Sequence, residues 1–131
     1  MFLSLESIAV RYARSTSGRD AVQGVSLGLR AGQIGALIGP SGCGKTSVLR
    51  AVAGLERCHQ GRVLIAGQSL SDAKAGIHLA PEKRQIGMVF QDYALFPHLS
   101  VAENVAFGVA HLARPEREQR VHKMLNLVGL A

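Results

Sequence analysis

Apolar and polar positions alternate at the start of the chain. Leu3, Leu5, Ile8, Val10 and Tyr12 are spaced by polar or small residues, with one slip of phase near Ser7. Period-two alternation puts one set of side chains on one face of a strand, so the pattern predicts a bent edge strand. Ser15 to Asp20 is polar and contains glycine, which predicts a turn. Val22 to Leu29 alternates again until Arg30-Ala31-Gly32 breaks the pattern, and the two strands predict a hairpin that Gly28 weakens.

The period then changes. Ile34 to Ile38 is apolar on both faces, as a strand inside a parallel sheet requires, and it ends abruptly in Gly39-Pro40-Ser41-Gly42. Thr46 to Ala53 carries Val48, Leu49, Val52 and Ala53 at helical spacing, with Gly54 placed to end the helix. Gly61 to Ala66 predicts a short strand, and Gln68 to Pro81 a polar, irregular surface connection. Ile86 to Phe90 predicts a compact strand with Gln91 at its carboxyl end, the edge where α/β sheets collect ligands. Ser100 to Glu103 is a capping box opening a helix that continues through Phe107. Pro115 suits the first turn of another helix, with Glu116 and Glu118 at its positive end. Val121, Met124, Leu125 and Val128 form that helix's apolar stripe before Gly129. No internal repeat is present, and no Pro/Gly/Ser-rich linker separates two domains.

With 131 residues, 47% of them hydrophobic and 18% charged, the chain fits one globular domain with a modest core. No run reaches the roughly 18 apolar residues of a membrane-spanning helix, and Met1 to Val10 lacks a basic leader, so a cytosolic location is expected. Cys43 and Cys58 form no Cys-x-x-Cys pair and have no histidines at zinc-ligand spacing, which predicts reduced thiols. A net charge of +6 would suit a phosphate ligand, an anionic lipid or a nucleic acid. The basic residues are scattered, however. The densest groups, Arg11/Arg14/Arg19 and Arg114/Arg117/Arg120/Lys123, read as solvated faces without interleaved aromatics, so no nucleic acid is expected as a partner.

The chemistry concentrates in Gly39-Pro40-Ser41-Gly42-Cys43-Gly44-Lys45-Thr46, which matches G-x-x-x-x-G-K-[ST] between an expected strand and an expected helix. Glycines let such a loop fold into a concave nest of inward N–H groups, and the helix beginning near Lys45 adds about half a positive charge. Lys45 supplies a point charge to β- and γ-phosphates, and the Thr46 hydroxyl is placed to ligate Mg²⁺ held by the same oxygens. Ser47 completes the expected binding set. Cys43 has two readings: a small side chain tolerated at a variable loop position, or a thiol made reactive by the helix terminus and Lys45. Asp92 is not assigned as a catalytic base, because Gln91 interrupts the apolar run before it and no Glu follows.

A phosphate loop alone leaves kinases, GTPases, helicases and transporters open. Around it, the strand region ending in Tyr12, the GPSGCGKT loop and MVFQDYALFPHLSVAENVAFG from Met88 to Gly108 resemble the ATP-binding cassette (ABC) family over Leu3 to Leu130. The resemblance implies an α/β fold: a P-loop nucleoside triphosphate hydrolase core with an antiparallel β region before it and the start of a helical subdomain after it. The expected division is 1–33 for the β region, 34–92 for the core through the Q-loop, and 93–131 for the helical part. By the same resemblance Gln91 is the Q-loop glutamine, contacting Mg²⁺ and the attacking water, and Tyr12 is the aromatic that stacks on adenine. An edge tyrosine that is simply half-buried is the other reading of Tyr12. Tyr93 to Ser100 would meet a helix of the transmembrane partner, with Phe96 and Leu99 either anchoring it or packing beneath the helical subdomain.

The implied function is the ATP-binding subunit of an importer, peripheral on the inner face of the cell membrane, working with permease subunits and a second copy of itself. FQDYALFPHL is similar to importers of ferric iron, with sulfate, polyamine and sugar importers beside them. Gln33 stands where many relatives have Glu, and Gly35 thins a strand usually filled by bulkier residues. The family's Leu-Ser-Gly-Gly-Gln signature, its Walker B run and its switch histidine are absent from the 131 residues. The domain is therefore expected to be incomplete, inactive in hydrolysis alone and prone to aggregation. Nucleotide binding without turnover is the alternative function, and a P-loop kinase a more distant one.

Overall fold

The computed structural model describes residues 1–12 and 19–130, so Arg14 and most of the turn expected at Ser15–Asp20 lie outside the described residues. Two compact units are present, Met1–Met88 and Val89–Ala131.

In the first unit, β1 (Leu3–Val10) and β2 (Val22–Leu29) form the expected antiparallel hairpin. After α1 (Lys45–Ala53) the chain adds β3 (Cys58–Ile65), β4 (Gln68–Asp72) and the short β5 (Ile77–His78), all antiparallel, in the order β2-β1-β3-β4-β5. The slip read at Ser7 is a β-bulge. Ser7 has φ 48°, register shifts fall between Leu5 and Ile8, and the Ser7 N–H turns to the Ser26 hydroxyl at 2.8 Å. The edge assignment is corrected: β1 is an interior strand, paired on both sides. Side-chain alternation encodes which face is buried, and lateral neighbours leave no mark on it.

The core lies between one face of this sheet and α1. Leu5, Ile8 and Val10 of β1 meet Val22, Val63 and Leu70 from the other strands and Val48 and Ala51 from the helix. Each such aliphatic side chain contributes roughly 1.5–3 kcal/mol on full burial. Leu49, expected on the apolar face of α1, is instead exposed. Gly54 ends α1 in the left-handed conformation, as expected, with φ 84°.

Gln68–Pro81 is a second correction. Ala66 and Gly67 both have positive φ, 48° and 80°, making a two-residue turn into β4, where a surface connection was expected. Leu70 and Ser71 are buried there. Arg84, just after a 3-10 turn at Pro81–Lys83, is 4% exposed and reaches across to the end of α1.

The strands expected at Ile34–Ile38 and Ile86–Phe90 do not form ladders among the described residues. Ile34, Ile38 and Val89 are 94%, 95% and 98% exposed. A run apolar on both faces is held as a strand only by neighbours on either side, and no described segment pairs with either run.

In the second unit, α2 (Val101–Phe107) opens with the expected capping box: the Ser100 hydroxyl accepts from Glu103 N–H at 3.3 Å, and the Glu103 carboxylate accepts from Ser100 N–H at 2.7 Å. α3 (Arg114–Leu127) has Pro115 in its first turn, and Gly129 follows it with φ 72°. Val121 is buried, whereas Met124 and Val128 of the expected stripe are exposed. No helix among the described residues is long and apolar enough to cross a membrane.

Candidate functional site

The loop 39–44 is cupped. Gly42 and Gly44 have φ 78° and 100°, conformations that cost L side chains about 1 kcal/mol or more, and Cys43 N–H donates to Pro40 O at 3.3 Å. A side chain at Gly44 would also overlap the Ala21 backbone oxygen, so the loop approaches the start of β2 as only glycine allows. Across the loop, a Cβ on Gly39 would stand 2.7 Å from the Cys43 sulfur.

The Lys45 ammonium turns back into this loop, donating to Gly39 O at 2.7 Å and Pro40 O at 2.8 Å, with Cys43 Sγ at 3.5 Å. These are charge-assisted hydrogen bonds to neutral acceptors, without the attraction that a full negative charge would add. Anionic oxygens arriving at the loop would compete for the same ammonium, beside the positive end of α1. Thr46 is exposed in the first turn of α1, and Ser47 beside it is buried. The Tyr12 and Ser47 hydroxyls share a hydrogen bond of 2.6 Å, which brings the end of β1 to the first turn of the helix.

A groove of about 530 Å³ opens beside the loop, lined by Asp20, Val25, Leu37, Gly42, Lys45 and Val48 among others. The Asp20 carboxylate at the groove is paired with Arg11 at 2.7 Å, which offsets its charge, and His59 lies 3.4 Å away. Gln33 fastens the turn before the loop, its side-chain oxygen accepting from Arg30 N–H at 3.0 Å.

Gln91 belongs to the other unit, exposed in a bend with Asp92. The segment after it is fastened by a residue that sequence reasoning missed. Asn104 of α2 accepts from Phe96 N–H at 2.9 Å and donates to the carbonyls of Phe96, Leu99 and Ser100 at 3.2, 3.1 and 3.0 Å. The Phe96 ring lies 4.5 Å, centroid to centroid, from that of Phe107, while the residue stays 39% exposed. Tyr93 and Leu95 remain exposed. The only signal for Asn104 was a polar side chain inside the Val101–Phe107 helix, where asparagine is disfavoured unless it bonds nearby backbone.

Arg84 was also missed. Its guanidinium donates to Leu79 O at 2.7 Å, Ala51 O at 3.1 Å, Val52 O at 3.0 Å and the Ser71 hydroxyl at 2.7 Å. It therefore caps the end of the helix whose beginning carries Lys45. Burial pushes the Cys58 thiol up, an effect the Arg84 charge partly opposes.

The ABC transporter family profile matches residues 22–131, most of the chain. The chain belongs to the ABC transporter family. This ABC chain is 44% identical to the spermidine/putrescine import ATP-binding protein PotA of Acidothermus cellulolyticus, over 98% of its own length and 32% of that protein's. It is 42% identical to the Fe(3+) ions import ATP-binding protein FbpC 1 of Pectobacterium atrosepticum, over 98% of its length and 34% of that protein's. It thus spans about a third of the length of these relatives. Among solved structures it superposes, with a TM-score of 0.81 and 25% identity, on a dimeric ATP-binding cassette in a post-hydrolysis state bound to ADP and Pi, covering 98% of this chain and 58% of that one.

Proposed function

We propose that this chain is the nucleotide-binding front part of an ABC importer's ATP-binding subunit, with residues 1–33 as its β region, 34–92 its phosphate-loop core and 93–131 the start of its helical subdomain. The observation that carries the reading is the cupped loop 39–44 with the Lys45 ammonium folded onto its carbonyls. The loop amides of Gly39 to Gly44 and the first turn of α1 surround a triphosphate, Lys45 shifts from the carbonyls to its β- and γ-oxygens, and Thr46 ligates the magnesium. MgATP supplies the phosphoryl group whose hydrolysis drives uptake. Tyr12 stacks on adenine, a contact typically contributing about 1–3 kcal/mol. Gln91 serves the magnesium and the attacking water, while Tyr93 to Ser100, fastened by Asn104, faces the permease.

The working assembly pairs two nucleotide-binding subunits with permease subunits on the inner face of the cell membrane. Relatives named for spermidine/putrescine, Fe(3+) and trehalose/maltose import support the importer class. Ferric iron is the solute favoured by the wording around Gln91, with polyamines and sugars beside it. Hydrolysis draws on the signature, Walker B and switch-histidine elements that the 131 residues do not contain, so the chain by itself binds nucleotide without turnover.

The test is MgATP binding and turnover by this chain and by one extended by about a hundred residues, the remainder of a typical domain. Binding by both, turnover by the longer only, and loss of binding in Lys45→Ala support the proposal. Unchanged MgATP affinity in Lys45→Ala sinks it.

A further inference from the structure

The hydrogen bond between Tyr12 and Ser47 joins residues 35 apart in sequence, and nothing in the phosphate-loop pattern requires it. Tyr12 follows β1, a strand paired on both sides, and the Ala21 N–H donation to Val10 O at 2.8 Å closes the base of the hairpin beside it. Ser47 is 6% exposed and sits in the first turn of α1, immediately after Lys45 and Thr46. At 2.6 Å the bond is short for two hydroxyls, and it is partly shielded from water. It restrains the aromatic ring relative to the helix that carries the phosphate ligands, whereas a phenylalanine at the same place would keep only its packing.

From this geometry we infer that the Tyr12 hydroxyl is a positioning group. Through Ser47 it holds the ring in place for a base before nucleotide arrives, so that Tyr12 selects base-bearing nucleotides over bare polyphosphate by preorganisation as well as by its π face. The inference rests on the reading of loop 39–46 as the nucleotide site and deepens the role of Tyr12 there. Ordering the ring in advance removes part of the entropy cost of binding. Only ligands that carry a base gain from it.

The experiment compares MgATP and magnesium tripolyphosphate binding by calorimetry in Tyr12→Phe, Tyr12→Ala, Ser47→Ala and the Tyr12→Phe/Ser47→Ala double variant. Tyr12→Phe is expected to weaken MgATP about two- to tenfold, the range of one net hydrogen bond, and to leave tripolyphosphate affinity unchanged. In the Ser47→Ala background, Tyr12→Phe should cost nothing further, because the partner is already gone. Tyr12→Ala should weaken MgATP more than Tyr12→Phe does. Tripolyphosphate binding by the two single Tyr12 variants shows at the same time that they still form the phosphate loop, and Ser47→Ala, at a residue of the expected binding set, serves only as the background against which the Tyr12→Phe loss is read.

Wild-type MgATP affinity in Tyr12→Phe overturns the positioning role, and a loss in Tyr12→Ala alone then leaves simple stacking standing. A Tyr12→Phe loss that persists undiminished beside Ser47→Ala overturns the link to Ser47, and a loss shared equally with tripolyphosphate overturns base selection. Normal MgATP binding in both Tyr12 variants removes the residue from the nucleotide site altogether. Failure of the broader reading has a separate signature, wild-type binding by Lys45→Ala.

Discussion

Replacing Arg84 by methionine removes the hub that joins three parts of the first unit. The residue is 4% exposed, and its guanidinium donates to the carbonyls of Ala51, Val52 and Leu79 and to the Ser71 hydroxyl, with His78 Nδ1 at 3.4 Å, so its charge is met by backbone dipoles, a hydroxyl and an imidazole. Two of those carbonyls belong to the last turn of α1, the negative end of the helix, where a cation is favoured. Arg84→Met keeps much of the apolar bulk and takes a donor away from four acceptors, of which Ala51 O still accepts from Gly54 N–H at 3.2 Å. Hydrogen bonds to a charged group are each worth about 1.5–3 kcal/mol, but the variant also escapes the cost of burying a cation. The net loss should be about 3 kcal/mol. Arg84→Lys keeps the charge without the planar fork and should lose about half as much. The chain has no tryptophan, so urea unfolding is followed by far-ultraviolet circular dichroism. With a slope of about 1–3 kcal/mol per molar, the Arg84→Met midpoint falls by about 1–3 M, or the cooperative transition disappears. Equal stability of Arg84→Met and the parent would show that the buried charge costs as much as its bonds return, and the hub would be refuted.

Burial, then the charges of Arg57 and Arg84, hold His78 below its usual 6.5. The unfolded chain therefore binds protons more readily, so stability is fully present above pH 6.5 and is lost as pH falls below it. Urea midpoints measured between about pH 5 and 7.5 should follow that trend, and a slope unchanged by His78→Asn would contradict the assignment. Gly54→Ala places a Cβ at φ 84° that overlaps the Arg84 guanidinium, so its loss should exceed the ordinary glycine-to-alanine penalty of about 1 kcal/mol and shrink in the presence of Arg84→Met; strict additivity in urea denaturation argues against the clash. Ile34→Ser with Ile38→Ser alters side chains 94% and 95% exposed, so stability should move by no more than about 0.5 kcal/mol per site while light scattering at rest falls. Scattering equal to the parent's would exclude these residues as the aggregating surface.

What could be read in advance follows from which interactions are local. The slip at Ser7, the ends of α1 at Lys45 and Gly54 and the Ser100–Glu103 box each depend on a few consecutive residues, and each is present. The partners of a strand are not local, and so β1 passed for an edge. Pro81-Glu82-Lys83-Arg84 has the composition of a solvated turn, and its last residue is buried because of carbonyls more than thirty positions earlier. The same fact hid β4: Gln68-Ser69-Leu70-Ser71-Asp72 is polar enough to be taken for a loop, and Ser71 is inside because Arg84 needs an acceptor there.

Ile34–Ile38 and Ile86–Phe90 carry the opposite lesson. Their pattern states an environment, burial on both faces, that the described residues provide only in part: Ile86 packs against the core, while Ile34, Ile38 and Val89 are almost wholly exposed. Each run leads directly into a candidate functional residue, Gly39 in one case and Gln91 in the other. The two residues do not depend on those runs equally. The phosphate loop is held by its own bonds, Lys45 to Gly39 and Pro40 and Cys43 to Pro40, and by Tyr12 on Ser47 behind it, none of which requires a ladder. Gln91 sits exposed in a bend, with its following segment tied down by Asn104 only from Phe96 onward. Phosphate binding is therefore the property this chain should retain by itself. Any step that needs Gln91 aimed at a nucleotide requires ordered neighbours for Ile86–Phe90 first.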